Sequence, residues 1–163
     1  SNYRKELAYG NMRVKKKSVI WELCHDIDLM FFLKGKPKKV WGKEDKVRST
    51  IGQAKDFSSL TAHFKDRSKV ILTQNMFSPK LYRKISIVSE KFFIKGDLIK
   101  GVLKFFSNKG KKIKEEKFNS DRNFFLFQEI KYFLLNKTKS HAKLFDGTNV
   151  SELIINYQKQ GKI

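Results

Sequence analysis

Most of the side chains that could do chemistry lie in one segment, which places an imidazole between two carboxylates. Glu22 precedes His25 by three positions, and Asp28 follows it by three. Residues three apart are neighbours on one face of an α-helix, so both acids are predicted to flank the ring. Flanking carboxylates favour a charged or firmly oriented imidazole, as general acid–base catalysis requires. Taken alone, the spacing fits a partly exposed histidine on a polar helix face better, so both interpretations stay open.

A helix from Ser18 to Lys34 is predicted to position this cluster. Ser18 is a natural N-cap, and Gly35 is a natural helix stop because glycine readily adopts positive φ. Apolar residues recur at intervals of three and four and predict a core-facing stripe of Ile20, Leu23, Cys24, Ile27 and Phe31. Adjacent helical residues point about 100° apart. We therefore interpret Cys24 as a core residue and not as a nucleophile activated by its neighbour His25.

The rest of the chain predicts strands followed by helices. Extended segments are expected at residues 38–42, 47–51, 57–64, 69–76, 81–88, 92–106 (two strands) and 111–118, and helices at 121–135 and 147–157. The residues expected to face the core are Leu60, Ala62, Phe64, Val70, Leu72, Phe124, Phe127, Ile130, Leu134, Val150, Leu153, Ile154 and Tyr157. This order is typical of an α+β fold with one mostly antiparallel sheet and helices packed on one face. We expect residues 1–163 to form a single domain.

Composition excludes several classes of protein. With 36 Lys and Arg against 16 Asp and Glu the net charge is +20, but the lysines are spread along the chain, so the charge alone does not favour nucleic-acid binding. No apolar run approaches a membrane span, and one cysteine in 163 residues fits a reducing cytoplasm. Glycine-rich dinucleotide and phosphate loops are absent, and the three histidines lack metal-ligand spacing. The sequence therefore predicts no cofactor site and no metal site.

Around His25 the sequence resembles the second, C-terminal domain of the Gfo/Idh/MocA oxidoreductases, most closely those acting on sugars and sugar nucleotides. Those proteins carry a Tyr-Arg loop, the segment Glu-Leu-Ser-His-Glu-Ile-Asp and a glycine that ends the helix. This chain has Tyr3-Arg4, Glu22-Leu-Cys-His-Asp-Ile-Asp28 and Gly35. A moderate likeness extends over residues 121–157, and the resemblance as a whole covers nearly the entire chain.

The resemblance implies a function that composition could not give. It implies a substrate-binding and oligomerisation domain of an NAD- or NADP-dependent enzyme, whose separate Rossmann domain is not found in this sequence. His25 would transfer the proton of a sugar hydroxyl, and Tyr3, Arg4, Glu22 and Asp28 would bind the substrate. It also implies a homo-oligomer that forms through the open face of the sheet.

The chain departs from the family pattern just before the helix. The family has three glycines there, where this chain has Lys16, Lys17 and Ser18. Lysine side chains obstruct the close approach to a ligand that glycine permits. The alternative is a non-catalytic binding or scaffold module whose basic surface meets an acidic partner or nucleic acid.

Overall fold

The computed structural model describes residues 18–48, 55–135 and 144–160. Within these ranges the helices are α1 (Val19–Glu22), α2 (His25–Lys34), α3 (Arg122–Leu134) and α4 (Leu144–Gln160). The strands are β1 (Lys39–Asp45), β2 (Phe57–His63), β3 (Lys69–Asn75), β4 (Lys84–Val88), β5 (Phe92–Asp97), β6 (Val102–Ser107) and β7 (Lys112–Lys117). The predicted α+β class with antiparallel strands is confirmed.

The strands form two sheets where the sequence predicted one. A three-stranded sheet has the order β1-β2-β3, and a four-stranded sheet has the order β4-β5-β6-β7, with every pair antiparallel. The chain divides accordingly into unit 1 (residues 1–78 and 142–163) and unit 2 (residues 79–141). The predicted strand at 81–88 begins only at Lys84. Pro79, which has no N–H to donate to a strand ladder, lies in the sequence between the last strand of the first sheet and the first strand of the second.

The core of unit 1 lies on one face of the three-stranded sheet, which we call the inner face. Alternate residues of β2 point to this face and are buried, as the period of two predicted. Side chains from α1, α2 and α4 complete the buried cluster of Ile20, Ile27, Met30, Leu60, Ala62, Phe64, Val150, Leu153, Ile154 and Tyr157. Full burial of one such aliphatic side chain contributes about 1.5–3 kcal/mol. The predicted stripes of β2 and of the last helix are therefore confirmed.

The single helix predicted from Ser18 to Lys34 is broken at Leu23 and Cys24. Leu23 leaves helical geometry with φ −111° and ψ 29°. The Ile27 amide consequently donates to the carbonyl of Cys24 at 3.0 Å, and the Leu23 carbonyl accepts from the Asp26 amide at 3.2 Å and from Gln74 Nε2 at 2.6 Å. A side chain on β3 thus bonds to the carbonyl at the break, which no local pattern signals.

The two ends of this helical segment agree with the prediction to different degrees. Gly35, with φ 75°, follows Lys34 and ends α2 as expected, since positive φ is strained for residues with a Cβ. Ser18 does precede the first helical residue, but its hydroxyl caps no amide of α1. It accepts instead from Gln158 Nε2 at 2.9 Å. Ser18 therefore ties α1 to α4.

Unit 2 is less buried than unit 1. In its sheet, the side chains of Ile85 and Leu103 pack against Gly96. A Cβ added there would lie 2.6 Å from Ile85 Cγ2 and 2.8 Å from Leu103 Cδ2, which is too close for either contact. Helix α3 is capped by Asp121, whose Oδ1 accepts from the amides of Asn123 at 2.7 Å and Phe124 at 3.0 Å. The core-facing stripe predicted on α3 is wrong, because its side chains are exposed, namely Phe124, Phe127, Ile130 and Leu134.

Helix α4 begins at Leu144, three residues ahead of the start that the sequence predicted at residue 147. No helix in the described ranges is long and apolar enough to cross a membrane.

Candidate active site

The structure keeps two of the three residues of the predicted acid–imidazole cluster on one helix. His25 is the first residue of α2 and is exposed, and Asp28 follows it by three positions. Glu22 ends α1 on the other side of the break. The expectation that Glu22 flanks the ring through continuous helical spacing is therefore wrong. The roles of His25, Glu22 and Asp28 stay predictions.

The His25 imidazole is open to a molecule from solution. Within the described part of the chain, no hydrogen bond, ion pair or ring contact engages its ring. A general acid or base must reach the proton it transfers, so an exposed and unengaged ring meets the first geometric requirement. The start of α2 is held in place by groups other than the histidine itself.

Gln74 is one of these groups, and it was identified from sequence only as a possible member of the inner face of β3. It is 3% exposed, and its Nε2 donates to the Leu23 carbonyl at 2.6 Å and to Asp26 Oδ2 at 3.3 Å. One amide therefore contacts the residues on both sides of the Cys24–His25 pair. A polar residue that continues the alternation of Val70 and Leu72 was the available signal.

Gln158 of α4 is the second anchor. Its Nε2 donates to Ser18 Oγ at 2.9 Å and to Glu44 Oε2 at 2.8 Å, and its Oε1 accepts from Trp21 Nε1 at 3.2 Å. One side chain thus joins α1, β1 and α4. The helix that leads to His25 is fixed from the end opposite to Gln74.

Two predicted substrate contacts, Tyr3 and Arg4, lie outside the described residues, so their roles stay predictions. Cys24 packs partly buried against the core cluster, in agreement with its interpretation as a core residue. Among the described residues, no group of three or more His, Cys, Asp and Glu side chains is arranged to hold a metal ion.

A second histidine lies on the other face of the three-stranded sheet, which we call the outer face. His63 contacts Trp41 edge-on, with ring centroids 4.3 Å apart. Partial burial, together with the positive charges of Lys69 and Lys39, lowers the pKa of His63 below its ordinary value. No carboxylate is among the causes of this shift.

The described residues do not fit a nicotinamide dinucleotide. Such a cofactor is held where a parallel strand leads through a glycine-rich turn into a helix N-terminus. All strand pairs described here are antiparallel. Any dinucleotide that serves the site around His25 would have to be bound by other residues.

The antiparallel α+β fold of this chain has structural counterparts among oxidoreductases. UDP-N-acetylglucosamine 3-dehydrogenase GnnA from Acidithiobacillus ferrooxidans is similar, with a TM-score of 0.66 and 18% identity over 90% of this chain. The WlbA dehydrogenase from Bordetella pertussis, solved with NADH and UDP-GlcNAcA, has a TM-score of 0.63 and 14% identity over 90% of this chain. Biliverdin reductase from a Synechocystis species has a TM-score of 0.66 and 10% identity over 86%.

These identities are low, so the likeness shows the fold. The chain spans 47%, 44% and 45% of the three proteins, respectively, which is less than half of each. No protein-family model matches the sequence, and no curated protein matches it. The fold expected from the resemblance around His25 is thus confirmed, while the substrate remains open.

Proposed function

We propose that this chain is the substrate-binding domain of an NAD- or NADP-dependent oxidoreductase that acts on a hydroxyl of a sugar or sugar nucleotide. The observation that carries the proposal is the fold shared with two dehydrogenases whose names or ligands include UDP-sugars, over 90% of this chain. Biliverdin reductase shares the fold and is named for a different substrate, so the fold supports the reaction class more strongly than the sugar.

His25 would act in this reaction as the proton-transfer residue. It would accept the proton of the substrate hydroxyl, and Asp28, three residues along α2, would orient the ring or bind a hydroxyl of the substrate. Glu22, Tyr3 and Arg4 would bind the substrate, with Arg4 suited to a phosphate or carboxylate. The nicotinamide cofactor supplies the hydride acceptor, and residues outside those described would bind it.

The outer face of the three-stranded sheet is the proposed surface for a homo-oligomer. Its Trp41 and Ile71 are 38% and 76% exposed. Exposed apolar side chains on one sheet face favour association with a second apolar surface. A monomer in light scattering at micromolar concentration would contradict this part of the proposal.

The alternative function, a binding module without chemistry, has one observation in its favour. On the four-stranded sheet Lys95 lies over the Phe93 ring at 5.0 Å, and Lys114 lies over the Phe105 ring at 4.4 Å. Ammonium groups over aromatic rings occur on surfaces that bind nucleic acid. Salt-sensitive binding of a labelled oligonucleotide near physiological ionic strength would favour this alternative.

The test of the proposed enzyme is a His25→Ala substitution in the complete gene product together with its nicotinamide-binding domain. We expect kcat with a UDP-sugar and NAD or NADP to fall about 10²–10⁴-fold, which is the usual contribution of a general acid or base. His63→Ala is the matched control, because it removes an imidazole from the outer face of the same unit. Unchanged turnover in His25→Ala would disprove the catalytic role.

A further inference from the structure

Three polar side chains form a row across the inner face of the three-stranded sheet. Glu44 of β1 is paired with Ser58 of β2, and Ser58 is paired with Gln74 of β3. They are 7%, 0% and 3% exposed, respectively. The row is therefore enclosed within unit 1, beside the apolar cluster, where unpaired polar atoms are costly.

Each member of the row has one buried oxygen without a hydrogen-bond partner among the described residues. These atoms are Glu44 Oε1, Ser58 Oγ and Gln74 Oε1. The other ends of the two long side chains are occupied, since Glu44 Oε2 accepts from Gln158 and Gln74 Nε2 donates to Leu23. Leaving a buried polar group unsatisfied costs about 1–3 kcal/mol. Three such atoms at one register point to a shared partner.

The register places these three side chains side by side on the inner face of the sheet. Neighbouring strands lie about 4.8 Å apart, so Glu44 and Gln74 flank the serine on its two sides. The serine side chain is shorter than those of its two neighbours. Tyr157 lies beside the serine hydroxyl but donates its own proton to the Ser59 carbonyl at 2.8 Å. The phenol therefore supplies no donor to Glu44 or Gln74.

We propose that an ordered water molecule lies between these three side chains and joins Glu44, Ser58 and Gln74 by hydrogen bonds. The hydrogen-bonding capacities match, because Glu44 Oε1 and Gln74 Oε1 can accept, and the Ser58 hydroxyl, which also faces the Tyr157 phenol, can either donate or accept. A water molecule donates twice and accepts as well, and buried waters typically form about three hydrogen bonds.

The water would support the same amide that fixes the helix break before His25. Gln74 uses its nitrogen for Leu23 and Asp26. A water bound to its oxygen would hold the amide plane in the orientation that those two bonds require. This inference does not depend on the proposed enzyme activity, because it concerns the interior of unit 1.

A crystal structure of the protein at about 1.5 Å resolution tests the site directly. We expect a water peak within hydrogen-bond distance, about 2.6–3.2 Å, of at least two of the three oxygens. An empty space, a cation with five or six oxygen ligands, or a side chain from residues 1–17 or 49–54 in that position would overturn the proposal.

Ser58→Val tests whether the water matters for stability. The two methyl groups of valine would displace the water and leave Glu44 and Gln74 without a hydrogen-bond donor. We therefore expect the unfolding equilibrium constant to rise about 10-fold or more. Ser59→Val is the matched control on the outer face, with an expected change below about 2-fold. Equal effects of the two variants would refute the proposal. If Ser58→Val fails to fold, Ser58→Ala is used instead, because alanine adds no atoms that could displace the water. The crystal structure of Ser58→Ala must still show the water.

Discussion

The two units contain similar amounts of strand, yet they bury them very differently. In unit 1 the inner face of the sheet is covered by α1, α2 and α4, and the described cluster there includes residues that are 0% exposed, such as Ile20, Ile27 and Ile154. In unit 2 the buried residues among those described are two glycines, Gly96 and Gly101. Strands form in both units, but side chains are buried into a core only where helices cover one face of the sheet.

This difference predicts that unit 1 supplies most of the stability of the described chain. Apolar burial is the main favourable term in folding, so free energy should be concentrated where the apolar side chains are buried. Mutations in unit 1 should then cost more than chemically similar mutations in unit 2.

The largest effect is expected from Leu60→Ala, which opens a cavity in the core of unit 1. Leu60 is 1% exposed, and such truncations typically cost about 2–5 kcal/mol. Ile87→Ala in unit 2, where the side chain is 36% exposed, should cost about 1 kcal/mol or less. Urea unfolding followed by circular dichroism measures both. Equal losses in the free energy of unfolding would show that stability does not follow side-chain burial in the two units.

A medium effect is expected at high pH from Tyr157, which joins α4 to β2. Burial raises the pKa of Tyr157 to about 12, and the Glu44 and Asp45 carboxylates add to the rise, opposed by the Ser58 hydroxyl. Because the folded pKa is above the ordinary value of about 10, the folded state holds this proton more tightly. The resulting stability is present below pH 10 and is lost as the pH rises from about 10 to about 12.

Tyr157→Phe separates this proton effect from packing. The variant loses the hydrogen bond to the Ser59 carbonyl and should be about 0.5–1.5 kcal/mol less stable at pH 7. Its stability should fall less than that of the wild type between pH 10 and pH 12, as measured by thermal melts across that range. A parallel decline of the two proteins would assign the alkaline loss to other groups.

The smallest effect concerns His63 on the outer face of unit 1. Its folded pKa is lowered by partial burial and by Lys69 and Lys39, so protonation disfavours the folded state. That penalty appears as the pH falls below the ordinary histidine value of about 6.5. An NMR titration of the ring should give a midpoint below 6.5, and Lys69→Gln should raise it. An unchanged midpoint in Lys69→Gln would contradict the charge contribution.

What the sequence predicted correctly depends on local physics. Strands β2 and β3, the stop at Gly35 and the stripe of α4 follow from alternation, from the conformational freedom of glycine and from helical period, all of which act within a few residues. The α+β order follows from the same signals. The exposed stripe of α3 was mispredicted because periodicity identifies an apolar face but does not supply the layer that would bury it.

The candidate site was only partly predictable, for a related reason. The spacing of Glu22, His25 and Asp28 marked the cluster, and the resemblance suggested a role for it. At the break between Glu22 and His25, the Leu23 carbonyl accepts a hydrogen bond from Gln74, which is 51 residues away in the chain. The pattern of residues along a helix does not show that a distant side chain bonds to one of its carbonyls.

The bond between Trp21 and Gln158 joins residues 137 positions apart, which bears on the order in which the protein forms during synthesis. Both sheets consist of consecutive hairpins, whose contacts are local and close quickly. Helix α4 supplies Val150, Leu153, Ile154 and Tyr157 to the core of unit 1. While the ribosome is still making residues 79–143, the inner face of the first sheet lacks this cover. Unit 2, although encoded later than β1–β3, can pair its strands before unit 1 completes its core, so folding finishes at the part of the protein that was begun first.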